Sequence, residues 1–165
     1  MQRIIVVGLS HKTAPVEIRE RFSFNQEELE DGLATLASKN HIEECMIVST
    51  CNRVEVYAVS ENADACIESV KEFLSEFHSI AGDAFAPYLY VSIGHLAVRH
   101  FYKVASGIDS MVVGEPQILG QIKQAYKTAV IKNTAGLILN RLSHSAFFVA
   151  KRVRTETGIG SGAVA

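Results

Sequence analysis

One cysteine, Cys51, lies in the polar run 49–53, Ser-Thr-Cys-Asn-Arg, between two segments of strand character. Connections between strands lie at the protein surface, so a thiol in this run is expected to be exposed. The permanently charged guanidinium of Arg53 would favour the thiolate, which is the nucleophilic form of cysteine. The run therefore predicts a reactive cysteine. The alternative is that Cys51 is a small buried apolar side chain, as Cys45 and Cys66 are expected to be.

A second candidate is His100, which lies in a predicted helix on the same stripe as Phe101 and Val104. A histidine on an apolar stripe is usually a hydrogen-bonded core residue. A catalytic role for His100 requires that folding bring it close to Cys51, and the sequence does not show that distance.

The segment 107–117 could also form part of a site, because its glycines permit tight turns and it leads into a helix N-terminus. Gln117 and Gln121 follow four residues apart and share one helix face, where their amides could hydrogen-bond a polar ligand. The alternatives are that this face is merely solvated, and that Asp109 or Ser110 caps a helix.

Alternation and 3–4 spacing of apolar residues predict the elements that position these residues. The predicted strands are 3–8, 43–50, 53–60 and 88–91, and the third alternates as a half-buried strand does. The predicted helices are 16–21, 25–38 (capped by Ser23), 63–78, 95–105, 116–132 and 135–154.

The predicted order of the first six main elements is β-α-β-β-α-β, typical of the ferredoxin-like sandwich. We therefore predict an α+β fold: a ferredoxin-like βαββαβ sandwich followed by a helical C-terminal part. The expected divisions are 1–92 for the sandwich, 93–155 for the helical part that completes the catalytic domain, and 156–165 for a stub leading to a further domain. The stub contains a Gly-x-Gly-x-x-Ala pattern, but it follows a helix rather than a strand, so it is not interpreted as a nucleotide site.

Composition is typical of a soluble globular protein, with 165 residues, 48% hydrophobic and 21% charged. The sequence has no apolar run long enough to span a membrane. An odd number of cysteines (three) without a CxxC motif predicts a reducing, cytoplasmic location, and the His and Cys residues lack the spacing of metal ligands.

Residues 1–90 have 7 Lys and Arg against 15 Asp and Glu, whereas residues 91–165 have 9 against 3. The basic second half could face an anionic partner such as nucleic acid, or merely solvate helix surfaces.

Five segments, in order and spanning nearly the whole chain, closely resemble the N-terminal catalytic domain of glutamyl-tRNA reductases. They are 8–15, 49–55, 104–110, 114–121 and 150–157. The resemblance implies that Cys51 attacks the ester of glutamyl-tRNA to form a thioester. A hydride from NADPH would then release glutamate-1-semialdehyde, the first committed precursor of tetrapyrroles and hence of 5-aminolevulinate and porphyrins. His100 resembles the family's activity-critical histidine, and Arg53 the cation that recognises a carboxylate. The other residues of the implied substrate site are Thr50, Asn52, Ser110, Glu115, Pro116, Gln117 and Gln121.

The family continues into NADPH-binding and dimerisation domains, and the sequence has no segment that resembles them. We therefore expect a fragment that lacks reductase activity by itself but could act as a slow esterase. The resemblance also implies homodimerisation of the full-length enzyme and possible contact with the downstream semialdehyde aminomutase. Two other interpretations stay open, namely a non-catalytic module that binds tRNA or protein, and a general Cys-His thiol hydrolase.

Overall fold

Four strands form one antiparallel sheet in the computed structural model, which describes residues 1–161. The strands are β1 (Arg3–Ser10), β2 (Glu44–Thr50), β3 (Arg53–Ser60) and β4 (Tyr90–Ile93). Their order across the sheet is β2-β3-β1-β4. Because β3 runs antiparallel to both β1 and β2, those two strands are parallel and flank it, as the split βαββαβ pattern requires. The predicted α+β fold is confirmed.

Seven helices accompany the sheet: α1 (Val16–Phe22), α2 (Gln26–Ala37), α3 (Ala63–His78), α4 (Gly82–Phe85), α5 (His95–Ala105), α6 (Gln117–Ile131) and α7 (Leu137–Glu156). The prediction missed α4 and the 3₁₀ turn Ala86–Tyr88 that follows it, so β4 begins two residues later than expected. No helix in the described residues has the length and apolarity needed to cross a membrane.

Helices cover the sheet on both faces, and the expectation that the third strand is half-buried is wrong. Every residue of β3 is buried. Tyr57 packs edge-to-face against Phe101 of α5, whereas the residues on either side of it point to the opposite face. Helices α2 and α3 contact β2, β1 and β3 and cover that opposite face. The second half of the chain therefore completes the core around the polar residues of β3.

One hydrophobic cluster contains residues of both halves, among them Val6, Tyr57, Phe101 and Ala146. The division at residue 92 stays a prediction, as does the stub 156–165, of which residues 162–165 lie outside the described part of the chain.

The cap of α2 is Asn25 and not Ser23. The Asn25 side chain accepts a hydrogen bond from the Glu28 amide (2.8 Å), and the Glu28 carboxylate accepts one from the Asn25 amide (3.1 Å). This capping box satisfies two donors at once. Ser23 instead ends α1, and its hydroxyl donates to the Glu20 carbonyl.

Candidate active site

Cys51 lies at the tip of a two-residue turn between β2 and β3. Thr50 pairs with Arg53, so Cys51 and Asn52 alone connect the strands. The Asn52 amide donates to the Thr50 hydroxyl (3.2 Å), and the His11 amide donates to the Asn52 carbonyl (2.8 Å). The thiol of Cys51 is exposed, whereas Cys45 and Cys66 are buried. A fixed backbone with an exposed thiol suits a nucleophile.

Arg19 of α1 approaches the same turn, and the sequence analysis did not single it out. Its Nε donates to the Cys51 carbonyl (3.2 Å) and its Nη1 to the Ala14 carbonyl (2.7 Å). Arg19 is only 9% exposed and has no carboxylate within salt-bridge distance among residues 1–161. Together with Thr50 and Cys51 it lines a groove of about 400 Å³. Glu20 also lines this groove, but it forms no salt bridge with Arg19, so the groove contains a thiol, a guanidinium and a separate carboxylate.

Arg53 is buried, with 1% of its surface exposed, and both terminal nitrogens of its guanidinium have acidic partners. Nη1 pairs with Glu55 (3.3 Å), and Nη2 donates to the carboxylate (2.9 Å) and carbonyl (2.8 Å) of Asp109. Its charge is thus compensated on two sides. Arg53 anchors the segment 107–116 to the start of β3 and would recognise a substrate carboxylate only by exchanging one of these partners.

Glu55 is a fully buried carboxylate in the middle of this network. It accepts hydrogen bonds from Tyr57 (2.8 Å) and Tyr90 (2.5 Å), and it pairs with Nε2 of His100. Burial alone raises the pKa of Glu55, but the His100 hydrogen bond, the charges of Arg53 and His100 and the Tyr90 hydrogen bond outweigh it, so the pKa is lowered. Glu55 is therefore ionised at neutral pH.

The alternation of β3 predicts a solvent-facing polar side that would include Glu55, whereas Glu55 is fully buried. Gly8 stands opposite Glu55 in the β1–β3 register. A Cβ added at Gly8 would lie 2.8 Å from Cγ of Glu55 and 2.6 Å from the Val54 carbonyl oxygen. The glycine thus makes room for the buried carboxylate, and this pairing is visible only once the register is known.

His100 is half-buried and lies at a different cavity from Cys51. It lines a space of about 270 Å³ together with Lys12, Tyr90 and Asp109. Its hydrogen bond within the described residues goes to Glu55 and not to Cys51. The link between the two candidates is indirect, through Glu55 and Arg53, which is two residues from Cys51.

Asp109 connects the segment 107–116 to two cations. It pairs with Lys12 (2.6 Å) and Arg53 (2.9 Å). Burial raises the pKa of Asp109, but the hydrogen bonds and charges of Lys12 and Arg53 outweigh it, so the pKa is lowered. The alternative role of Asp109 or Ser110 as a helix cap is wrong for α6, because that helix begins after Pro116 without a side-chain cap. Ser110 is buried, and its amide donates to the Gly107 carbonyl (3.3 Å).

The other predicted substrate residues lie at the start of α6. Glu115 is half-buried, whereas Pro116, Gln117 and Gln121 are exposed. Arg154 of α7 donates to the carbonyls of Gly114 (3.2 Å) and Glu115 (2.6 Å), which fixes the entry to the helix. Their part in a substrate site stays a prediction. Residues 1–161 contain no cluster of three or more His, Cys, Asp or Glu residues suited to a metal ion.

An exposed cysteine on a fixed turn, joined to a buried ionic network in an α+β domain, defines a candidate catalytic domain with a thiol nucleophile. The sequence model described as "Glutamyl-tRNAGlu reductase, N-terminal domain" matches residues 7–157. The chain belongs to this family of glutamyl-tRNA reductase N-terminal domains.

Individual relatives agree with this assignment. Glutamyl-tRNA reductases of Geotalea uraniireducens and Pelobacter propionicus are 54% and 55% identical over 161 residues, 98% of this chain. The solved structure "Glutamyl-tRNA Reductase from Methanopyrus kandleri" matches over 98% of this chain with a TM-score of 0.79 and 34% identity. The chain spans 37% of the length of each of these relatives.

Proposed function

We propose that this chain is the part of a glutamyl-tRNA reductase that binds glutamyl-tRNA and forms a thioester with it through Cys51. The observation that carries the proposal is the exposed thiol on the two-residue β2–β3 turn, in a chain of this family. The full reaction would yield glutamate-1-semialdehyde for tetrapyrrole synthesis.

In the first step, the Cys51 thiolate attacks the carbonyl carbon of the ester between glutamate and the terminal ribose. The carbon–sulfur bond forms and the carbon–oxygen bond to the ribose breaks, so the leaving hydroxyl must gain a proton. We assign this proton to His100, whose Nε2 is held by the ionised Glu55. Because Cys51 and His100 line different spaces, the terminal ribose would have to lie between them.

Substrate recognition is assigned to the residues around the turn and the start of α6. A glutamyl carboxylate would bind Arg53 by replacing Asp109 at Nη2, the outer of its two acidic partners. Glu115 would pair with the substrate ammonium. The remaining polar contacts are assigned to Thr50, Asn52, Ser110, Gln117 and Gln121, with Pro116 shaping the start of α6.

NADPH would supply the hydride that reduces the thioester to the aldehyde. The described residues do not fit this cofactor, because all neighbouring strands are antiparallel and the sheet lacks the adjacent parallel strands of a dinucleotide-binding βαβ unit. Without reduction, water would hydrolyse the thioester, and this chain would act as a slow esterase.

We place the reaction in the cytoplasm. Dimerisation and contact with the aminomutase belong to the proposal for the longer enzyme.

Intact-mass analysis after incubation with glutamyl-tRNA, without NADPH, tests the thioester. We expect one glutamyl adduct that hydroxylamine removes, since hydroxylamine cleaves thioesters. Cys51→Ala should abolish the adduct. Cys66→Ala, which truncates a buried thiol, is the matched control and should retain it.

An adduct that survives in Cys51→Ala would contradict the assignment of the nucleophile. Binding of tRNA without adduct or glutamate release would instead favour the non-catalytic binding module. A general Cys-His hydrolase would also be labelled by other aminoacyl-tRNAs, so an alanyl-tRNA arm separates that interpretation. The absence of a direct His100–Cys51 hydrogen bond speaks against it.

A further inference from the structure

An exposed edge of α5 carries three basic side chains at four-residue spacing, His95, Arg99 and Lys103. Residues four apart lie on one face of a helix, about 6 Å apart along its axis. The helix contains no Asp or Glu that could compensate the charges of Arg99 and Lys103. We call the exposed residues His95, Arg99 and Lys103 the α5 basic edge.

The side chains of Arg99 and Lys103 form no salt bridge within residues 1–161. In contrast, Lys39 and Arg152 both pair with glutamates. Like charges at i,i+4 destabilise a helix slightly, so helix stability does not explain the arrangement. An uncompensated row of cations is the electrostatic pattern of an anion-binding surface.

The α5 basic edge opens onto the His100 cavity. Arg99 and Lys103 line a space of about 310 Å³ with Ser92, His100 and Asp109. These last three residues also line the 270 Å³ cavity that contains Lys12. Lys12, Arg99 and Lys103 thus lie around His100, and the one acid that lines these two spaces, Asp109, is already paired with Lys12 and Arg53.

We propose that the α5 basic edge binds the phosphates of the last nucleotides at the 3′ end of the tRNA. This inference rests on the proposed function, which puts the ribose ester between Cys51 and His100. The phosphate of the terminal nucleotide is covalently linked to that ribose, so it must lie near His100 as well. Arg99 and Lys103 present separate positive charges along α5, so each would contact a different phosphate as the strand leaves the cavity.

Binding of unacylated tRNA at increasing salt tests this surface, with the double variant Arg99→Ala/Lys103→Ala. We expect about tenfold weaker binding at low salt and a slope of log K against log salt that is smaller by about one to two, since two phosphate contacts are lost. Lys127→Ala/Lys132→Ala removes two exposed cations from the end of α6 and is the charge-matched control. It should change both quantities much less.

A second arm locates the contact on the RNA by using tRNA that lacks its 3′-terminal nucleotides. The wild type should bind this RNA more weakly, and the α5 variant should lose little further affinity, because both changes remove the same contact. Three results would each overturn the proposal. The first is an equal loss of tRNA affinity in the α5 and α6 variants, and the second is a loss in the α5 variant that is the same for truncated and intact tRNA. The third is competition by polyglutamate that is as effective as competition by tRNA.

The glutamyl adduct distinguishes this proposal from the proposed function. An α5 effect confined to intact tRNA, without any adduct on the wild type, would refute the thioester and leave the RNA surface standing. An adduct on the wild type together with indistinguishable α5 and α6 variants would refute the RNA surface alone.

Discussion

At the scale of single residues, the three cysteines differ in exposure. Burial raises the pKa of Cys45 to about 12 and that of Cys66 to about 11. Both thiols are therefore protonated at neutral pH and shielded from reagents. Cys51 alone is exposed, on a turn whose backbone is held by Arg19 and His11.

Iodoacetamide labelling of the native protein near neutral pH should modify one cysteine, Cys51. After unfolding in denaturant, all three should react, because burial no longer protects Cys45 and Cys66. Peptide mass mapping identifies the modified residue. Native labelling of Cys66 at a rate comparable to that of Cys51 would show that the thiols are not separated by burial.

Arg19 makes the contact with the Cys51 turn that the sequence analysis expects of Arg53. Arg53 is two residues from Cys51, yet its guanidinium faces Glu55 and Asp109. Arg19 is distant in sequence, yet it binds the Cys51 carbonyl and lines its groove. Arg19 is therefore the guanidinium nearest to the Cys51 backbone, and it forms no salt bridge within residues 1–161, although Glu20 lines the same groove.

At the scale of elements, the connection from α5 to α6 depends on close backbone packing at Gly114. This residue has φ +80°, and an added Cβ would overlap the carbonyl oxygen of Ile159. Arg154 reinforces the contact by binding the Gly114 and Glu115 carbonyls. The segment after α7 is thereby packed against the entry to α6, where the predicted substrate residues lie.

Two glycine substitutions compare this connection with the helix that follows it. Gly114→Ala should lower the free energy of unfolding by more than about 2 kcal/mol, through positive φ and steric overlap. Gly120→Ala, inside α6 with no heavy atom near the added Cβ, should raise it by about 0.5–1 kcal/mol. Urea denaturation measures both. Equal effects would show that the Gly114 contact does not constrain the fold.

At the scale of the whole molecule, buried ion pairs join the two halves of the chain. Glu55 and Arg53 come from the sheet, whereas His100 and Asp109 come from the second half. Folding lowers the pKa of both carboxyls, Glu55 and Asp109. Their ionised forms therefore contribute stability above the pKa of an unfolded carboxyl, about 4, and this contribution is lost as the pH falls towards the folded values.

Glu55→Gln should lower the free energy of unfolding at pH 7 by about 3–5 kcal/mol, because it removes the anionic partner of His100 and one of the two acidic partners of the buried Arg53. Between pH 5 and pH 3, the free energy of unfolding should fall less in the variant than in the wild type, because the variant lacks one of the two carboxyls whose pKa folding lowers. Denaturation over this pH range measures both effects.

The control for Glu55→Gln is Glu61→Gln, which removes an exposed carboxylate and should be nearly neutral. If the free energy of unfolding of Glu55→Gln falls as steeply between pH 5 and pH 3 as that of the wild type, the pH dependence of stability does not come from Glu55.

The sequence by itself determined the strands, the longer helices, their order, the α+β class and the position of Cys51 between two strands, because periodicity and turn residues act locally; the short helix α4 was missed. Tertiary structure decided the partners of the charged residues, since Glu55, Arg53, Asp109 and His100 come from positions up to 56 residues apart. It also decided that β3 is buried on both faces, because alternation cannot distinguish a solvent-facing side from one covered by later helices. The Arg19 contact with Cys51 depends on how α1 packs, so spacing along the chain did not indicate it.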